Sequence, residues 1–502
     1  MQFVLGIDIG TTGCKTVALD RAGRVLAQGD SFYPVVSPRP GWGEQDPQAV
    51  LAGVWASMRE CLAQTMGPPL ALCIGGALHS LTAVDGHGQP LMPVLTWADS
   101  RSQKQAARLK SLDGHALYRR TGCPAHPMYL PAKLLWLREF MPQRFDSAAR
   151  FVSVKELVVH SLTGQWVIDD SVASGSGLLN IHRHDWDDET LALAGLDRRR
   201  LAPVAPAITD LGKITPECAH DLGLPPETHV ILGASDAALS SLGAGAVGPG
   251  VYAAMIGSSG AVRVLAPQPM LDERERTWCY VLDRSHYVVG GAINNAGLVL
   301  RWFADNFAQP DAGDVYETLV QEAALVGPGA EGLIFLPFLT GERSPGWNAQ
   351  ARGVLFGLSL HHGRRHIARA ILEAVSYRLR SVLEALEQVT GPAVEIRASG
   401  GFVHSPTWVQ ILADVLEHPI TVPRTANTSA IGAALWGWHA LGEIGDWQET
   451  SSRIPVQHIV HPDSTRRAAY TRLYRLYCDL YNQLGQAFTE IADIQSNPSP
   501  ST

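Results

Sequence analysis

FVLGIDIGTTGCKTVALD, residues 3–20, is an apolar run, a turn at Gly10-Thr11-Thr12-Gly13 and a second run that ends at Asp20. The first run reads as a buried strand, and Arg21-Ala22-Gly23-Arg24 closes a hairpin onto Val25–Gln28. VYAAMIGSSGAVRVLA, residues 251–266, repeats the pattern: strand, Gly257-Ser258-Ser259-Gly260, strand. The second copy starts near the midpoint of the chain. Two topologically similar halves follow, each opened by a hairpin.

Around these hairpins the chain alternates strands with helices, as an α/β protein does. Asp46-Pro47 opens a helix, with Asp46 as N-cap and Pro47 in its first turn. ALCIGG (71–76) is the next strand. In the second half, helices are expected over 364–389, 406–416 and 429–438, with strands at 395–400 and 418–423. The expected division is 1–246, 247–490 and a disordered tail at 491–502, most plainly NPSPST (497–502).

Composition excludes several classes. A chain of 502 residues is too long for one compact core. Its net charge of -8 shows no basic excess, so no nucleic-acid partner is expected. Seven scattered cysteines, with no CxxC pair, point to a reducing cytoplasmic compartment and no zinc site. The N-terminus lacks the features of a signal peptide. Residues 237–262 carry no charge, but their Gly, Ser and Pro content reads as a buried domain junction rather than a membrane span.

Turns of small residues let backbone N–H groups approach an anion, and hydroxyls add donors. One such turn alone is equally the mark of a plain hairpin. Two, one per half, form a two-sided grip on a polyphosphate. Asp8, two residues before the first turn, is placed to hold Mg²⁺ through water or to cap the turn. Lys15 would add a point charge, unless it is simply a surface lysine. Asp236 lies between the strand-like VILGAS and a small-residue helix. A carboxylate there suits a base that accepts a hydroxyl proton, and equally an N-cap.

GIDIGTTGCK, GGALHSL, TWADSR, GASDAA, GSSGA, LTGERSP and SGGF…SPTW together resemble the FGGY carbohydrate kinases, in family order over nearly the whole chain. The resemblance implies two RNase H-like domains of the actin/hexokinase/Hsp70 ATPase superfamily, with a deep cleft between them. It implies ATP and Mg²⁺, with Asp236 as general base and Asp8 at the magnesium. It also implies phosphate contacts from Thr11, Thr12, Gly13 and Lys15 and from Gly257, Ser258, Ser259 and Gly260. Gly297, Arg301, Gly400, Gly401 and Ser405 match nucleoside-binding positions, and Leu78, His79 and Met128 match substrate-binding ones. Within the family, ALHS, TWAD, RTGCPAHPM, IDDSVASGSGLLN and INNAG are most similar to gluconokinases. The implied reaction is D-gluconate and ATP to 6-phosphogluconate and ADP. A xylulose or other pentulose kinase is the alternative, and an actin-like non-kinase a distant one. A homodimer is left open.

The carboxylate of a sugar acid needs a donor, and His79, His126, Arg101, Lys133 and Lys155 are the candidates. Trp97 reads as a packing residue or as a wall of the sugar pocket, and Lys133 as a lysine on a helix face. Gly341-Glu342-Arg343 reads as an interdomain loop whose own ion pair shapes the hinge.

Overall fold

The computed structural model describes residues 2–307, 315–424 and 427–496. Its frame is two sheets of matching topology. The first contains β1 (Phe3–Ile9), β2 (Gly13–Asp20), β3 (Val25–Phe32), β4 (Ala71–Gly76), β5 (Asp210–Lys213) and β6 (His229–Ile231), in the order β5-β6-β4-β1-β2-β3. The second contains β7 (Val251–Ile256), β8 (Gly260–Ala266), β9 (Trp278–Asp283), β10 (His286–Ile293), β11 (Glu395–Ser399), β12 (Ile420–Pro423) and β13 (Val456–Val460), in the order β9-β10-β8-β7-β11-β12-β13. In each, the opening hairpin is antiparallel and its first strand pairs in parallel with a later one, β1 with β4 and β7 with β11. The repeat seen in the two turns is therefore a repeat of whole sheets, with β9 added at one edge.

The helices that frame the sheets are α1 (Pro47–Leu62), α2 (Leu130–Phe140), α3 (Val154–Thr163), α4 (Pro216–Leu222), α5 (Asp236–Gly243), α6 (Gly297–Phe307), α7 (Arg364–Thr390), α8 (Pro406–Leu416), α9 (Thr428–Ala440) and α10 (Gly485–Ser496). Asp46 caps α1 through Gln48 N–H, and Pro47 fills a first-turn position that has no intrahelical acceptor to satisfy. Alternation along β1 sends Phe3, Leu5, Ile7 and Ile9 into one core with Val50, Val54 and Met58 of α1. The opposite face of β1 meets α9, a helix from the far end of the chain.

That contact crosses the expected break at 246/247, which falls between α5 and β7. α9 belongs to the second half in sequence but lies on the first sheet and against α5. Small residues permit it. A Cβ on Gly6 would stand 2.1 Å from Ala430 O, one on Gly243 1.8 Å from Thr428 O, and one on Gly432 1.9 Å from Leu239 O. The helices cross backbone to backbone, closer than any side chain allows.

The tail differs from expectation. Residues 491–496 belong to α10, which anchors through Phe488 and Ala492, 2% and 5% exposed. Apolar residues four apart fix that helix. Residues 497–502 lie outside the described residues. Among the described residues no helix is long and apolar enough to cross a membrane, and 237–262 contains α5 and β7, both largely buried.

Candidate active site

Two carboxylates sense each other near the contact of α9 with β1 and α5: Asp8 on β1 and Asp236 on α5. Positions 4, 6 and 8 of β1 share the face turned to α9: Val4 lies under Gly437, Gly6 under Ala430, and Ser429 of α9 lowers the Asp8 carboxyl slightly while its Oγ donates to Asp236 O at 3.5 Å. Asp8 Oδ1 is buried with no hydrogen-bond partner. Burial, then the charge of Asp236, pushes the Asp8 carboxyl up to about 7. Asp236 is the first residue of α5, behind Ser235, whose side chain caps the helix through Ala238 N–H. Burial raises its carboxyl too, opposed chiefly by the Arg263 charge. Ala237 N–H donates to Asp236 Oδ1 at 2.7 Å. Arg263 comes from β8 in the second half, and its Nη1 donates to Ser240 Oγ on α5 at 2.8 Å.

The first turn opens beside this pair. Gly10 N–H donates to Gly13 O at 3.0 Å. Thr12 and Lys15 are exposed, and a cavity of about 150 Å³ is lined by Asp8, Thr12, Gly13 and Lys15. Lys15 Nζ donates across to Asn427 Oδ1 at 3.2 Å. Thr11 is more engaged: its Oγ1 accepts from Trp97 Nε1 at 2.9 Å and its carbonyl from Gln45 at 2.6 Å.

The second turn sits on the start of α6. Gly257 N–H donates to Ser259 O at 2.8 Å, and Gly297 N–H donates to Gly257 O at 2.9 Å. Here opens a cavity of about 650 Å³, lined by Gly257, Ser258, Gly297, Arg301, Gly401 and Ser405 among others. Gly260 and Gly400 shape this region without lining the cavity. Gly260 opens β8, and Gly400 has φ +98°, where a Cβ would stand 2.3 Å from Ile256 O.

A third group of expected residues gathers after β4. Leu78 is buried and His79 holds the left-handed φ of +66°, a strained conformation for a residue with a side chain. His79 Nδ1 donates to Gly175 O at 2.6 Å, which leaves Nε2 free to accept. Burial, then the Lys133 charge, keeps this imidazole neutral, well below its ordinary range. His126 is held down to about 3 by burial, then by Arg343. Met128 N–H donates to His126 Nδ1 at 3.3 Å.

Three of the five candidate donors are already committed. Lys155 Nζ pairs with Asp169 at 2.6 Å, and Arg101 with Glu44 at 2.6 Å and Asp99 at 2.7 Å. Lys133 is buried rather than set on an open helix face: its Nζ donates to His79 O at 2.6 Å and Thr96 O at 2.8 Å. Burial lowers this ammonium to about 7. The two carbonyls it satisfies are those of the strained His79 and of the residue before Trp97.

Sequence reasoning missed Arg343. Glu342 is not its side-chain partner. Glu342 Oε1 accepts from the N–H groups of Asn294 and Arg343, at 3.0 and 2.7 Å, and Oε2 faces Arg378 Nε at 3.4 Å. The Arg343 guanidinium instead lies over the Trp97 ring, 4.6 Å from its centroid. Its one available signal was its place in the GERSP motif. Trp97 thereby joins the first turn, through Thr11, to the histidine pocket, so it is more than packing.

Residues 3–243 match the FGGY family of carbohydrate kinases, N-terminal domain, and residues 252–441 match the C-terminal domain of the same family. The gluconokinase of Bacillus subtilis (strain 168) is 37% identical, covering 98% of each chain. The crystal structure of gluconate kinase from Lactobacillus acidophilus is similar at TM-score 0.91 and 31% identity, over 98% of this chain and 99% of that one. Ligand-bound xylulose kinase from Lactobacillus acidophilus is similar at TM-score 0.92 and 31% identity, over 98% and 100%. Two matching sheets, a small-residue turn in each and a pair of acids beside the first turn agree with these likenesses: the chain belongs to the FGGY family of carbohydrate kinases.

Proposed function

We propose that this kinase transfers the γ-phosphoryl of MgATP to the hydroxyl of D-gluconate farthest from its carboxylate, giving 6-phosphogluconate and ADP. The observation that carries phosphoryl transfer is the half-buried Asp8–Asp236 pair, with Asp8 lining the same cavity as the first turn. Asp236 accepts the hydroxyl proton, and its raised basicity suits that task. Thr11, Thr12, Gly13 and Lys15 meet the phosphates from one side, and Gly257, Ser258, Ser259 and Gly260 from the other. The nucleoside occupies the cavity bounded by Gly297, Arg301, Gly401 and Ser405, with Gly400 setting its wall. Leu78, His79, Trp97, His126 and Met128 hold the sugar, with His79 Nε2 an acceptor for a hydroxyl.

The residues fit magnesium held mainly through water. Asp8 offers an unpartnered oxygen, and no three His, Cys, Asp or Glu side chains converge into a metal cage among the described residues. Magnesium, when bound with ATP, neutralises charge that develops on the phosphates. The free thiols of all seven cysteines support a reducing, cytoplasmic setting.

The nearly full-length likeness to a gluconokinase favours gluconate. The gluconate kinase and xylulose kinase structures are each 31% identical to this chain, which supports xylulose as the second reading. ADP release with MgATP and a panel of sugars separates them. Turnover on xylulose without turnover on gluconate overturns the first reading. Asp236→Asn is expected to retain ADP binding while kcat falls about 10²-fold or more. Near-normal kcat in that variant refutes the base assignment.

A further inference from the structure

We propose that Arg343 receives the carboxylate of the substrate and so selects a sugar acid over a neutral sugar. This rests on the gluconate reading above. The Arg343 side chain stays charged at any physiological pH, yet the residue is only 6% exposed. The Glu342 charge is the chief one that acts on it, but burying a cation whose donors lack an anionic acceptor is still costly. Among the described residues no carboxylate hydrogen-bonds its guanidinium. The neighbouring Glu342 is turned toward Asn294 N–H and Arg378. Arg343 Nη2 donates to Ile293 O at 3.0 Å, and Nε is buried with no partner. A planar fork with free donors fits a carboxylate, which it can grip with two bonds.

The surroundings place this cation in the sugar pocket. Its ring partner is Trp97, and its charge acts on His79, His126, Tyr129 and Tyr280. Both histidines are held neutral there, so neither competes for the anion. Asp236 answers mainly to Arg263 and then Lys155, while Arg343 answers first to Glu342. The base serves the hydroxyl that reacts, and the guanidinium serves the acid end. Because Arg343 comes from the second half and His79, Trp97 and His126 from the first, an acid substrate also draws the halves together.

The test measures Kd for gluconate and for glucitol, the same chain with an alcohol in place of the carboxylate, with ADP present. Arg343→Met is expected to weaken gluconate by roughly 10²- to 10³-fold, leaving glucitol within about threefold, so that the two affinities converge. ADP binding reports that the variant is folded. If it is not, Arg343→Lys serves instead, with gluconate at least about tenfold weaker and glucitol unchanged. An unchanged ratio of the two affinities overturns the role of Arg343. If the wild-type enzyme does not phosphorylate gluconate, the gluconate reading itself fails, and this inference with it.

Discussion

Replacing Gly432 by Ala tests whether the crossing of α5 and α9 sets the catalytic geometry. The new Cβ would stand 1.9 Å from Leu239 O and 2.6 Å from Leu239 C, both backbone atoms with no rotamer to yield. Relief requires the two helices to part by more than about 1 Å, since carbon contacts are comfortable only near 3.5 Å. Two effects on stability oppose each other. Overpacking costs about 1–3 kcal/mol, while Ala for Gly inside a helix returns about 1 kcal/mol. The net loss of stability is therefore modest. Catalysis has no such offset, because Asp236 is the first residue of the displaced α5 and Ser429, whose Oγ donates to Asp236 O, is on α9. A shift of about 1 Å at reacting groups costs about 10²-fold. The assay is kcat at saturating MgATP and sugar, beside a thermal melt. Gly437→Ala is the control, since its Cβ meets the Val4 side chain at 2.6 Å, which can move. A Gly432→Ala enzyme with kcat within threefold of wild type, or no worse than Gly437→Ala, refutes the reasoning.

Two further substitutions probe the buried charges. Folded Asp8 holds its proton up to about pH 7, whereas the unfolded chain loses it near 3.8, so between these values the folded state binds more protons and stability falls as pH rises. Asp8→Asn removes that fall: its melting temperature relative to wild type should climb from pH 4 to 7 and then level off, and a difference independent of pH would contradict this. Lys155→Met strands Asp169 as a buried anion without its 2.6 Å partner, an expected loss of about 3–5 kcal/mol in chemical denaturation. A loss under about 1 kcal/mol would mean that Asp169 finds another partner or its proton.

Local patterns made much of this structure readable. Each opening hairpin is short-range, and a small-residue turn between apolar runs suffices to specify it. Helices with clear caps and apolar spacing came through within a few residues: 406–416 as expected, 364–389 as Arg364–Thr390, and 429–438 as Thr428–Ala440. What was hidden is non-local. Nothing near Gly432 reveals that it meets Leu239, so the place of α9 on the first sheet could not be read. Neighbours in sequence misled at Glu342-Arg343, because an irregular loop turns adjacent side chains apart and Glu342 finds Arg378 in α7. Lys133 looked like a solvated lysine because its partners are backbone carbonyls, which carry no residue identity. Of the candidate site, the acids and both turns were legible; the cation of the pocket was not.

The position of α9 bears on how the chain folds as it is made. One face of the first sheet stays uncovered until a helix ending at Ala440 has been synthesised, although the strands of that sheet are complete by Ile231. At about 5–20 residues per second, that interval of roughly 200 residues lasts on the order of 10–40 s. Throughout it Val4, Val17 and Leu19, destined for the core beneath α9, face solvent or a chaperone. The first half therefore waits on the second to finish, and a fragment ending at residue 246 should be prone to aggregate through that open face.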